Sequence, residues 1–137
     1  MSKPRHQSAE GPSQRQLRVG ETVRRCLSEA LARGDVHDPE LARFSITVGE
    51  VRMSPDLRLA TAFVLPLGGE GRADALEALR RNRGALRHVV SRALALKVSP
   101  DLRFEIDETF DRMDAARRLF ADPAVARDLE PPADETA

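Results

Sequence analysis

Tryptophan and tyrosine are absent from this 137-residue chain, and phenylalanine occurs only five times. Proteins that read splayed bases by stacking need exposed aromatic faces, so stacking is excluded as the main mode of nucleic-acid recognition. Cysteine occurs once, at Cys26, which rules out an internal disulfide, and no histidine cluster completes a zinc ligand set. No run approaches the roughly 18 consecutive apolar residues of a membrane span. The first residues include Lys3, Pro4, Arg5, His6 and Gln7 without an apolar core, unlike a secretory leader. A reducing, cytoplasmic setting is the expectation. Catalytic patterns are equally scarce. Cys26 falls on an apolar stripe with no histidine or aspartate pattern to activate it, and His37 and His88 have no partner at a meaningful spacing. Gly68 to Gly71 spells G-x-x-G, yet no Lys-Ser or Lys-Thr follows and no G-x-G-x-x-G is completed, so a plain linker is the better reading. We expect no enzyme activity, no metal, no cofactor and no small-molecule substrate.

What the chain has is segregated charge. The 22 basic and 22 acidic residues cancel in the sum. In order, residues 1–33 hold 7 basic and 3 acidic side chains, 34–79 hold 4 and 8, 80–103 hold 7 and 1, and 104–137 hold 4 and 10. A polyanion responds to the local field, so the first and third segments are candidate contact surfaces.

With 41% hydrophobic residues, the chain has material for one compact core. Residues 1–12 are polar with Pro4, Gly11 and Pro12, a disordered lead-in by composition, and 122–137 form an acidic tail with Pro123, Pro131 and Pro132. The domain between them spans 13–121. Ser13 and Gln16 fit a capping box, and Leu17, Val23, Cys26, Leu27, Ala30 and Leu31 recur at helical spacing up to Gly34, which predicts a helix over 14–33. Asp38-Pro39 reads as a turn. Phe44, Ile46 and Val48 alternate as a strand, and the slip to Val51 and Met53 implies a β-bulge. After the Ser54-Pro55-Asp56 turn, Leu57, Leu59, Thr61, Phe63, Leu65 and Leu67 alternate on one face of a second strand, with Ala60, Ala62 and Val64 on the other. Leu76, Leu79, Leu86, Val89, Val90, Ala93 and Leu94 trace a second helix to about Leu96, which Gly84 is expected to kink. Leu102, Phe104 and Ile106 form a third strand, and Phe110, Met113, Leu119 and Phe120 allow a short last helix. The expected fold is α+β in the order α-β-β-α-β with a C-terminal helix.

Projected as one helix from Leu86, Arg80, Arg81, Arg87, His88, Ser91 and Arg92 fall opposite the apolar stripe, with Gly84 and Ala95 between them. Ordinary solvated faces intersperse both signs; this one has almost a single sign, suited to a phosphate chain with arginines as bidentate donors. On the first helix, Glu21 can pair with Arg25 and Glu29 with Arg33, which leaves Arg15, Arg18 and Arg24. The candidate RNA contacts are therefore Arg15, Arg18, Arg24, Arg80, Arg81, Arg83, Gly84, Arg87, His88, Arg92 and Lys97. A protein-interaction adaptor that docks an acidic partner is the alternative from another class.

The ordered set Arg15-Gln16-Leu17-Arg18-Val19-Gly20, Asp38-Pro39-Glu40-Leu41, Val51-Arg52-Met53-Ser54-Pro55-Asp56-Leu57, Asn82-Arg83-Gly84 and Ser99-Pro100-Asp101-Leu102-Arg103-Phe104 before Asp107-Glu108 resembles the ribosome-binding factor A family, over about residues 13–120. The resemblance implies a type II KH-like domain, a three-stranded sheet backed by helices, in which a kinked helix with Ala-x-Gly replaces the usual G-x-x-G loop. Here that site reads Asn82-Arg83-Gly84, which keeps the glycine and not the alanine. It also implies a monomer that binds free 30S ribosomal subunits, contacts the 5′-terminal helix region of 16S rRNA, aids its late maturation and processing, and matters for growth in the cold.

Overall fold

Ser13 starts the first helix as its spacing requires. In the computed structural model, which describes residues 11–121, α1 (Gln14–Arg33) opens on a capping box. Ser13 Oγ accepts from the Gln16 amide at 3.1 Å, and Gln16 Oε1 accepts from the Ser13 amide at 2.8 Å. Such a cap stabilises a helix by about 1 kcal/mol. Gly34, in the left-handed region at φ 70°, closes the other end. The expected tails lie outside the described residues, save Gly11 and Pro12.

The remaining elements are α2 (Pro39–Ala42), β1 (Ile46–Met53), β2 (Leu59–Pro66), α3 (Arg72–Arg81), α4 (Arg83–Ala93), β3 (Asp101–Ile106) and α5 (Thr109–Ala121), with a 3-10 turn over Leu67–Gly69. Both strands of the hairpin are shorter than the alternation implies, with Phe44 before β1, Leu57 (φ 62°) in the turn and Leu67 in the 3-10 turn, and two further elements differ from expectation. The Asp38-Pro39 turn continues into the one-turn helix α2, because Asp38 caps it by accepting from the Glu40 amide at 2.9 Å and proline suits its first position. The second long helix is two helices broken at Asn82 (φ −100°, ψ 17°), and the second of them stops at Ala93, short of Leu96. Gly84 sits inside the first turn of α4 and makes no bend. Asparagine breaks the helix because its side chain competes with the backbone ladder: Asn82 Nδ2 donates to Ala78 O at 2.7 Å.

The sheet has the order β1-β2-β3, with β1 antiparallel and β3 parallel to β2. The register shifts between Val48 and Glu50, where the sequence implied a bulge. Helices α1, α3 and α4 cover one face only. Beneath them Ala60, Ala62 and Val64 of β2 are fully buried, with Val48 and Met53 of β1 and Leu102 and Phe104 of β3 beside them. Val23 and Leu27 of α1, Leu79 of α3 and Leu86 and Val90 of α4 complete this core, each such side chain stabilising the fold by about 1.5–3 kcal/mol. The larger Leu59, Phe63 and Leu65 occupy the opposite, half-buried face. Small side chains on β2 let the helices come close, and close packing outweighs the greater area of the leucines. Gly20 shows the same limit on α1, where a Cβ would stand 2.7 Å from Val51 O.

The contacts divide the chain between Asp107 and Glu108. In the second unit, α5 carries the i,i+4 pairs Arg112–Glu108 and Arg118–Asp114, and Met113, Leu119 and Phe120 are more than half exposed.

Candidate nucleic-acid interface

The break at Asn82 gives α3 and α4 separate axes, so the single basic arc projected from the sequence divides into groups. Arg80, on the last turn of α3, reaches the edge of the sheet, where Nη2 donates to Phe104 O at 3.3 Å. Arg83 and Arg87 lie one turn apart on α4 and face the same way. Arg87 Nη2 donates to Ser99 O, just before β3, also at 3.3 Å. Arg80 and Arg83, with Arg103 of β3, line a cleft of about 480 Å³ along that strand, together with Asp101 and Glu105. No carboxylate pairs with Arg80, Arg83, Arg87 or Arg103 among the described residues. Their charge is available to a ligand, and three planar donor groups at one strand edge suit a run of phosphates.

The other sequence-derived candidates lie elsewhere. Gly84 is exposed on α4, with nothing within 4 Å of a notional Cβ, so the helix backbone is open to close approach there. His88 and Arg92 form a second exposed stripe of α4, and Lys97 is exposed in the loop that follows. Arg15 and Arg18 are exposed on one side of α1. By helical spacing Arg15 and Thr22 share the stripe of Cys26, whose thiol meets Val89 O of α4 at 3.6 Å. Burial pushes that thiol's pKa up, as expected of a packing residue.

Two candidates are neutralised by the chain itself. Arg24 was expected to be free, with Glu21 on Arg25. In the structure Glu21 takes Arg24 in a two-point pair, at 3.0 and 2.6 Å, while Arg25 stands 4.0 Å away. That hydrogen bond holds the Glu21 carboxyl below the usual carboxylate range. An i,i+3 pair won over i,i+4 because Arg24 presents both donors in its planar fork. Arg81 turns away from the cleft to Asp38, at 3.0 Å. Arg103 joins the site without having been a candidate from the sequence. Its only signal was a lone arginine on the polar side of a strand, which gains meaning once β3 is an edge beside Arg80 and Arg83.

Beside the sheet three aromatic rings are covered, while Phe120 on α5 is exposed. Arg43 lies over the Phe44 ring at 5.5 Å, Arg52 over Phe63 at 4.8 Å, and Phe104 is 1% exposed. Among the described residues no His, Cys, Asp and Glu side chains group as a metal site, and no helix is long and apolar enough to cross a membrane.

A family model described as ribosome-binding factor A matches residues 15–120. The chain is 65% identical over 130 residues to "Ribosome-binding factor A" of Ruegeria sp. (strain TM1040), covering 95% of this chain and 99% of that relative. It is similar to the solution structure of a Thermotoga maritima protein described as a putative ribosome binding factor A, with a TM-score of 0.60 and 33% identity over 72% of this chain and 92% of that one. A third likeness is to a homology model of the Thermus thermophilus factor fitted into the cryo-electron-microscopy map of its complex with 30S. There the TM-score is 0.50 and the identity 29%, over 63% of this chain and 88% of that one. These relatives are named for binding, and none of those named here is named as an enzyme.

Proposed function

The chain belongs to the ribosome-binding factor A family, and on that premise we propose that it is a non-catalytic, cytoplasmic assembly factor that binds free 30S ribosomal subunits and assists late maturation and processing of 16S rRNA. The 30S complex of the Thermus thermophilus relative supports the partner. The arginines at the β3 edge carry the assignment of the surface: Arg80, Arg83, Arg87 and Arg103 form no ion pair among the described residues, although Asp101 and Glu105 share the cleft.

We read the fold as type II KH-like, acting as a monomer, with the helix break at Asn82 in place of the usual loop and residues 13–121 as the RNA-binding domain. Contact is with the RNA backbone, since the phenylalanines of the sheet region, Phe44, Phe63 and Phe104, are covered and offer little for base stacking beside the cleft. The mechanism is mass action: by holding one arrangement of the 5′-terminal helix region, the protein raises that state's population without making or breaking bonds, an effect of most value in the cold, where misfolded RNA rearranges slowly. Affinity falls steeply with salt, on the order of a hundredfold or more between dilute and physiological conditions for six to eight phosphate contacts.

Sedimentation with purified free 30S subunits tests this reading. We expect co-sedimentation that is lost on ribonuclease treatment and weakens with salt. Association that survives ribonuclease would instead favour a protein adaptor. Cleavage of precursor rRNA by the pure protein would overturn the non-catalytic assignment.

A further inference from the structure

The break between α3 and α4 is held from outside the helix pair. Asp38 Oδ2 accepts from Arg81 Nε at 3.2 Å, Arg81 Nη2 at 3.0 Å and Asn82 Nδ2 at 2.7 Å. Its other oxygen accepts from the Glu40 amide at 2.9 Å, which anchors the carboxylate to the start of α2. Asn82 thus uses one amide group to end α3, at Ala78 O, and to join it to Asp38. The Asp38 side chain is only 13% exposed, so a largely covered charge is met by three N–H donors from Arg81 and Asn82. Donation from Asn82, helped by Arg81, holds its pKa down at about 2, so the carboxylate stays ionised under all working conditions.

The residues on either side of this clasp belong to the cleft. Arg80 is the penultimate residue of α3 and Arg83 the first of α4, and both line the β3 edge. The backbone angle at Asn82 therefore sets the distance between their guanidinium groups. We propose that Asp38 is a positioning residue for RNA binding: by clasping Arg81 and Asn82 it fixes the α3–α4 break and holds Arg80 and Arg83 at one spacing along the β3 cleft, a role that rests on the RNA reading above. Asp38 touches no ligand in this scheme. Its contribution is preorganisation, which reduces the ordering cost that two flexible arginines would otherwise meet on binding.

Charge and geometry make opposite demands on this residue. Asp38 cancels the Arg81 charge, so electrostatics alone predicts that Asp38→Asn, which frees a cation, tightens binding to every RNA. Preorganisation predicts weaker binding to the structured target. We expect Asp38→Asn to weaken association with free 30S subunits about tenfold at physiological salt while raising affinity for a plain RNA duplex roughly twofold. Asn82→Ala, which leaves net charge unchanged, should weaken 30S binding without the gain on duplex. In both variants the Leu86 amide, bonded to Asn82 O at 3.0 Å, should exchange with solvent about tenfold faster.

Undiminished 30S binding by Asp38→Asn would overturn the proposal, as would faster exchange with no change in binding. A parallel loss on both RNAs would also overturn it, since that marks a general folding defect. Arg83→Glu is measured alongside. If it lowers 30S binding and Asp38→Asn does not, only the positioning role fails; if Arg83→Glu has no effect, the RNA reading of the cleft fails and the positioning role with it.

Discussion

The two basic segments have the same count of positive side chains and opposite fates. On α1, the carboxylates that accompany the arginines are spaced to meet them: Glu21 takes Arg24, and Glu29 and Asp35 both reach Arg33. From Arg80 to Arg103, among the described residues, Arg81 meets a carboxylate, that of Asp38, far away in sequence, while Arg80, Arg83, Arg87 and Arg103 meet none. The lesson is that a count of cations per segment overstates the field where i,i+3 and i,i+4 pairing is available. What matters for a polyanion is the set left unpaired: Arg80, Arg83, Arg87 and Arg103 gather at the edge of β3, whereas Arg15 and Arg18 are what α1 retains.

Charge reversal gives the strongest test of this contrast. Arg83→Glu with Arg87→Glu should lower affinity for 30S subunits on the order of a hundredfold and reduce the slope of log affinity against log salt by about 2, with thermal unfolding unchanged. An equal loss from reversal on α1 would erase the distinction between the two segments.

Gly84 sharpens the comparison with Gly20. A Cβ at Gly20 would collide with Val51 O, whereas Gly84 has open space and sits within α4. Gly84→Ala should therefore stabilise the fold by roughly 0.5–1 kcal/mol, read by denaturant unfolding, because alanine has the better helix propensity. Weaker 30S binding in this more stable variant would mark close approach of the α4 backbone to RNA; unchanged binding would confine the interface to side chains.

The pH response of Asp38 is a smaller, local effect. Its folded-state pKa lies below its ordinary 3.8, at about 2, so the stability it contributes is fully present above about pH 4 and is lost as the pH falls through the folded value. A carboxyl resonance of Asp38 should titrate near 2, and Asn82→Ala should move that midpoint upward. The least effect is expected from Arg24→Gln. With its charge already met by Glu21, its removal should change 30S affinity within about twofold. A loss matching that of Arg83 would show that RNA displaces Glu21.

Much of the fold was legible because its signals are local. The Ser13 cap, the Gly34 stop, the bulge after Val48 and the alternation of Leu102, Phe104 and Ile106 each depend on a few neighbouring residues. The candidate site was legible in part: the cationic segment was visible, while its division was not. The sequence points to a kink at Gly84, since glycine is the weakest helix former in the run, yet Asn82 breaks the helix through a side-chain bond and a distant aspartate.

The sequence by itself determined where helices and strands form, which residues lie on each face, and how charge is distributed, since these follow from periodicity, capping and turn chemistry within about four residues. Only the tertiary structure decided that the alanine face of β2 lies under the helices, that Asp38 holds Asn82 and Arg81, and that Arg103 joins Arg80 and Arg83. Each of those outcomes joins residues more than ten positions apart, set by close packing and long-range hydrogen bonding, and such contacts have no period in the chain.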